Sequence, residues 1–308
     1  LKGAPRISPG RYVRASRPSH FFSRPKIALV YAVGEIASGT SQRGGFSGDI
    51  AGSETVSEGI REAREDAAVK AIVLRIDSPG GSGTASETIW HEVQLAKKVK
   101  PVIVSMGDVA ASGGYYIAMG SDVILAEPGT ITGSIGVFSG KFSMRGLYDK
   151  LGISEELITR GDNGDLFSGY RPWTPDERAR IRSLMVNFYE DFVRKVADGR
   201  RRPFDYIDGI AQGRVWSGAE ALHNGLVDQL GGLETAMQVA RDRGQIRGGD
   251  VDIVVLPESK GFFETLMSRS EEEETRSIPV SLRNVLQFSR IFGDKGPIAR
   301  LPFELRVR

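Results

Sequence analysis

Residues 71–83 read Ala-Ile-Val-Leu-Arg-Ile-Asp-Ser-Pro-Gly-Gly-Ser-Gly. The run Ala71 to Ile76 is apolar at every position but Arg75, so its alternating side chains put hydrocarbon on both faces of a strand. Such a strand suits a sheet covered on both sides, the habit of parallel sheets. The Pro-Gly-Gly turn ends it and opens onto a helical pattern over about Thr84 to Lys98.

The same unit recurs outward in both directions. Upstream, Ile27 to Val33 reads as a buried strand and Gly34 to Gly52, rich in Gly and Ser, as a mobile loop. Ile60, Ala63, Ala67 and Ala68 then carry helical spacing over Ser57 to Val69. Downstream come a strand at Val102 to Ser105, a helix after Ser112 and a strand at Val123 to Ala126. After Ile135 to Phe138 the pattern predicts a helix around Arg145 to Leu151, a strand at Glu156 to Thr159, and a long amphipathic helix from Thr174, a good N-cap, to about Asp198. Short helices near Asp205 to Ala211 and Gly218 to His223, a helix at Leu233 to Arg243 and a strand at Val251 to Leu256 complete it. This βα alternation is an α/β fold built on a parallel sheet.

From Leu1 to Lys26 every charged residue is basic, and Pro5, Pro9, Pro18 and Pro25 interrupt the stretch. It reads as an extended linker or arm. The expected organisation is a basic arm at 1–26, an α/β domain at 27–245, and a peripheral C-terminal extension at 246–308 that includes the acidic run Glu271 to Glu274.

Composition narrows the chemistry. The 308 residues carry 41 Lys and Arg against 39 Asp and Glu, a net +2, so no whole-chain field favours nucleic acid. The absence of cysteine removes disulfides, thiolate metal sites and cysteine nucleophiles. No run reaches the roughly 18 to 20 apolar residues of a membrane helix. The first residues, Leu1-Lys2-Gly3, carry neither an initiator Met nor a signal-peptide core, and the chain reads as part of something longer.

Three Gly-rich segments follow buried strands, where loops at the carboxyl edge of a parallel sheet gather into a site. In Asp77 to Gly83 the adjacent Gly80 and Gly81 let backbone N–H groups converge on a small anion or oxyanion. In Asp108 to Tyr115, Ser112 sits among small residues at a strand-to-helix connection, where it serves as an N-cap or as an exposed nucleophile. Thr130 to Gly136 is a third turn rich in small hydroxyl residues, consistent with a plain strand connection. His20, His91 and His223 lie in the arm or on helices among charged neighbours, which leaves a Ser/His/Asp triad poorly supported and directs attention to a Lys base.

The stretches Ala71 to Gly81 (AIVLRIDSPGG), Val109 to Tyr115 (VAASGGY), Thr130 to Gly136 (TITGSIG), Gly213 to Ser217 (GRVWS) and Asn224 to Gly231 (NGLVDQLG) resemble signal peptide peptidase A. That family consists of serine peptidases with a Clp protease/crotonase-like fold, and the resemblance covers about Ile27 to Gln245. It implies Ser112 as nucleophile, Gly80, Gly81 and Gly113 as oxyanion-hole donors, and Ser134 as the residue orienting a catalytic Lys. The position that carries the general-base Lys in single-domain members is Gly164 here, followed by Asp165-Leu166-Phe167. The chain thus looks like the second half of the long form, in which the Lys comes from the first half. Lys141 and Lys150 are the internal contenders, both expected to face solvent.

The resemblance also implies remnant signal peptides and similar apolar peptides as substrates, a homo-oligomer, no cofactor or metal, and an active face outside the cytoplasmic membrane. Two other readings stay open. One is a catalytically silent assembly half; the other is a crotonase-type acyl-CoA enzyme using Asp77 or Asp108 as acid or base.

Overall fold

The computed structural model describes residues 24–45, 48–161, 163–257 and 298–300. The arm before residue 24 and the stretches 258–297 and 301–308 lie outside the described residues. In chain order the elements are β1 (Lys26–Val33), β2 (Glu35–Ala37), β3 (Gln42–Gly45), β4 (Gly48–Gly52), α1 (Ser53–Glu65), β5 (Val69–Ser78), β6 (Gly80–Ser82), α2 (Gly83–Lys97), β7 (Val102–Ala111), α3 (Gly113–Ala118), β8 (Val123–Ala126) and β9 (Ile131–Gly133). Then follow α4 (Arg145–Leu151), α5 (Pro175–Arg200), α6 (Phe204–Ile210), β10 (Val215–Ser217), α7 (Gly218–His223), β11 (Gln229–Leu230), α8 (Leu233–Arg243), β12 (Asp252–Leu256) and β13 (Ile298–Arg300).

The main sheet runs β10-β9-β7-β5-β1-β12, with β8 also on β7 and β11 on β8. Apart from the antiparallel β10–β9 pair, its pairings are parallel. The double-sided burial read from Ala71 to Ile76 is literal. Ile72, Leu74 and Ile76 enter the core shared with Val56 and Ile60 of α1, Ile89 of α2 and Phe192 of α5. Ala71 and Val73 face the opposite layer, against Ala236 and Ala240 of α8. Each fully buried Ile, Leu or Val contributes about 1.5–3 kcal/mol, so both layers are needed to hold the strand. Arg75 keeps its charge hydrogen-bonded, donating to Ser105 Oγ and to the Met106 carbonyl, both at 2.8 Å.

Two strands of this sheet turn out of it into a second one, ordered β13-β6-β2-β4-β3. β1 leaves at Gly34 and β5 leaves at Pro79. Gly34 has φ +92°, and a Cβ there would lie 1.9 Å from the Asp49 carbonyl oxygen, so only Gly makes the turn. The Gly34 to Gly52 stretch, expected to be a loop, accordingly contains β2, β3 and β4. β4 pairs with β2 and with β3, and β2 also meets β6 at Ile36↔Gly81, so this Gly- and Ser-rich stretch is held as strands by pairing and not by a side-chain periodicity of its own.

Other departures have similar causes. Glu156 to Thr159 forms no strand; it is exposed, and no described residue pairs with it. α1 begins at Ser53, four residues before the expected start, because Gly52 fits against the Thr40 backbone and Glu54 N–H reaches the Gly39 carbonyl at 2.9 Å. β12 pairs with β1 from Lys26↔Asp252 to Val30↔Leu256, so the sheet draws in residues beyond the expected boundary at Gln245.

Candidate active site

The outer edge of β7 is shared by two strands. β8 pairs with Ile103 to Ser105, and β9 pairs with Val109 to Ala111. On its inner edge Ser78 of β5 lies opposite Ala110. The three Gly-rich segments therefore converge where β7 ends, and the next residue is Ser112.

Ser112 is the N-cap residue of α3, with φ 54° and ψ −113°. An L side chain in so sparsely populated a region costs of order 1–3 kcal/mol, and persists only where the surroundings fix it. They do so on both sides: Ser112 N–H donates to the Gly133 carbonyl, and its own carbonyl accepts from Tyr116 N–H, both at 2.8 Å. The side chain makes no capping bond. Its Oγ is buried and has no hydrogen-bond partner among the described residues. An ordinary N-cap Ser would spend that oxygen on an amide of the first helical turn. This hydroxyl is held back from doing so.

The neighbouring elements lock the turn. Gly114 lies where a Cβ would come 2.7 Å from the Ser78 carbonyl oxygen, so α3 packs directly on the end of β5. Tyr115 donates to the Leu226 carbonyl at 2.9 Å, and burial pushes its phenol well above the usual range. Tyr116 donates to Glu87, which also receives Lys195 Nζ at 2.6 Å. Phe192 lies against the Tyr116 ring, centroids 4.6 Å apart.

Gly80 and Gly81 have φ +102° and +155°, and a Cβ on Gly81 would sit 2.0 Å from the Ile36 carbonyl oxygen. Gly80 N–H donates to Ser78 Oγ at 3.1 Å, an engagement the sequence did not signal beyond a Ser two residues ahead of the glycine. Ser134, buried with φ 48°, donates its N–H to the Arg214 carbonyl at 2.7 Å. Gly133 accepts the Trp216 ring where a Cβ would be 2.7 Å from Cδ1. The 213–217 and 224–231 motifs are thus the scaffolding of this corner: Asp228 accepts Ile124 N–H at 2.8 Å, and Gly231 N–H reaches the Ala126 carbonyl at 2.9 Å.

Residues 94–247 match the profile of peptidase family S49, and residues 53–125 match that of Clp protease. A chloroplastic serine protease SPPA of Arabidopsis thaliana is 42% identical over 226 residues, 72% of this chain and 33% of that protein. A putative protease of Synechocystis sp. is 34% identical over 267 residues, 86% of this chain and 91% of its own length. The chain belongs to peptidase family S49. A further relative, a putative signal peptide peptidase SppA of Enterococcus faecium, is 35% identical over 216 residues, 70% of this chain and 62% of that protein. The chain spans about a third of the length of the plant relative.

A Ser hydroxyl that is to act as a nucleophile needs a base. His91 and His223 are exposed on α2 and α7, and His20 lies outside the described residues. Lys150 is exposed on α4. Lys141, expected to face solvent, is instead partly buried: its Nζ donates to the Leu166 carbonyl at 3.1 Å and lies 5.5 Å from the Trp173 ring centroid. Burial lowers its pKa, while Glu177 opposes that shift. Gly164 occupies the adjoining turn, where its N–H faces the Gly161 carbonyl at 3.4 Å. That turn is closed by Arg171, which binds Asp165 at 2.5 Å and Glu177 at 2.8 Å.

The carboxylates weighed for acyl-CoA chemistry are otherwise disposed. Asp77 Oδ1 accepts Val109 N–H at 3.1 Å, and Asp108 is exposed. A polar cleft of about 430 Å³ lies apart from the Gly-rich loops, lined by residues such as Lys97, Lys195, Arg200 and Asp228. Several of its charges pair with one another or with neighbours, Arg200 with Asp228 and Lys195 with Asp191. Among the described residues no cluster of His, Asp and Glu is placed to hold a metal, and no helix is long and apolar enough to cross a membrane.

Proposed function

We propose that this chain carries the nucleophile of a serine endopeptidase whose general base is a Lys supplied by another segment or half of the assembled enzyme. The observation that carries the reading is the Ser112 turn: a strained backbone holding a buried, unpartnered hydroxyl at the start of α3. A neutral Lys takes the Ser112 proton as Oγ adds to the peptide carbonyl. Backbone N–H groups of Gly81 and Gly113, with Gly80 once it releases Ser78, receive the oxyanion. Ser134 orients the Lys. Loss of one such donor typically costs about 100- to 1000-fold in rate. As the tetrahedral intermediate collapses, the C–N bond breaks and the Lys ammonium gives its proton to the leaving amine; the neutral Lys then deprotonates a water that adds to the acyl-enzyme, and the proton returns to Ser112 Oγ as the acid product leaves.

The substrates that fit the family resemblance are remnant signal peptides and similar apolar peptides, met in a homo-oligomer at the outer face of the cytoplasmic membrane. The test is labelling by a fluorophosphonate serine probe, with and without an N-terminal half taken from the longer form, alongside Ser112→Ala. Labelling that needs both Ser112 and the added half supports the proposal. Strong Ser112-dependent labelling of this chain alone overturns the external base and makes Lys141 the residue to replace. No labelling in either case leaves the silent assembly half as the better reading.

A further inference from the structure

The edge of β6 is where an extended peptide backbone would have to lie to bring its carbonyl to the Gly80–Gly81 loop. Gly80 and Gly81 are the first two residues of β6, and its other edge is taken by β2 through Ile36↔Gly81. An unfilled strand edge binds extended chain by backbone pairing, with side-chain pockets adding selectivity. In this structure the edge is filled. β13 runs antiparallel to β6 with Ile298↔Ser82, Ala299↔Gly81 and Arg300↔Gly80, and it also lies beside α3, the helix that Ser112 caps.

We infer that residues 298–300 act as an internal competitor of substrate, occupying the peptide-docking edge of β6. The inference rests on the proposed peptidase site. Sequence explains why the contact is brief. Pro297 and Pro302 bracket Ile298-Ala299-Arg300-Leu301, and a prolyl nitrogen has no hydrogen to give a ladder. Only a short stretch between them can pair on both its donors and its acceptors. A tethered segment needs little intrinsic affinity, because its local concentration is high, and a free peptide with a longer ladder can displace it.

The experiment uses the full chain carrying Ser112→Ala, so that binding is read without turnover. A fluorescent peptide with the sequence of residues 296–302 is titrated into this protein and into the same protein with Ala299→Pro and Arg300→Pro together. Adjacent strand residues point their N–H groups to opposite sides, so the double change removes whichever one bonds β6. We expect the peptide to bind the double variant at least tenfold more tightly, and hydrogen exchange over Gly80–Ser82 to be faster in that variant without peptide. Equal affinity for the two proteins, or no binding to the variant, overturns the inference. A chain ended at Gly296 repeats the comparison should the prolines disturb folding. Because no catalysis is involved, failure here is separable from failure of the probe-labelling test of Ser112.

Discussion

Ser112 is strained and buried, and its hydroxyl has no hydrogen-bond partner among the described residues, three costs that a purely structural Ser would not carry together. Its φ and ψ are the mirror image of an ordinary extended conformation, which glycine adopts without penalty. Ser112→Gly should therefore abolish probe labelling and at the same time raise stability by about 1 kcal/mol. Ser112→Ala keeps the Cβ and should gain less. Paired urea denaturation curves check this, and a Gly variant less stable than the Ala variant would show that the turn is not strained.

At the scale of elements, the 161–177 turn and the start of α5 form one ionic closure. Thr174 and Glu177 make a reciprocal capping box, Thr174 N–H to Glu177 Oε2 at 2.7 Å and Glu177 N–H to Thr174 Oγ1 at 3.2 Å. Hydrogen bonds from Arg171, then from the Thr174 backbone, hold the Glu177 carboxyl down at about 2, against an ordinary 4.5. A depressed folded-state pKa contributes stability that is complete above the unfolded value and is lost as pH falls through the folded one. Protection factors for amide exchange over 163–177, taken relative to the intrinsic rate at each pH, should accordingly fall between pH 4.5 and about 2, while Glu177→Gln shows no such step from this group. An unchanged profile in the native chain would remove Arg171 and Glu177 as the closure of this turn.

Across the whole molecule, the core and the Ser112 turn are one packed unit. Phe192 of α5 is fully buried against Tyr116 of α3, four residues after Ser112, and Lys195 of the same helix reaches both Tyr116 and Glu87. Truncating Phe192 to Ala should cost about 3–5 kcal/mol through lost transfer energy and a residual cavity. It should also slow probe labelling of Ser112 in the assembled enzyme, since α3 loses its backing. Denaturation midpoints and labelling rates, measured together, check this; a large stability loss with unchanged labelling would separate the turn from the core.

The strand order of hydrophobicity was enough to specify an α/β fold, because burial on both faces of β5 needs helices in two layers whatever the connections are. That the Gly-rich ends of β5 and β7 lie together was legible as well, because loops at the carboxyl edge of one parallel sheet share an end. What sequence alone did not reveal depends on partners distant along the chain. β2, β3 and β4 became strands by pairing with one another, and β2 with the distant β6; Glu156 to Thr159 finds no such neighbour among the described residues; and Lys141 was drawn under Trp173 by a turn twenty-odd residues on. The backbone conformation of Ser112, and the seating of residues 298–300 on β6, are likewise tertiary facts. Strand pairing and backbone strain are fixed by what lies across space, and local periodicity carries no record of it.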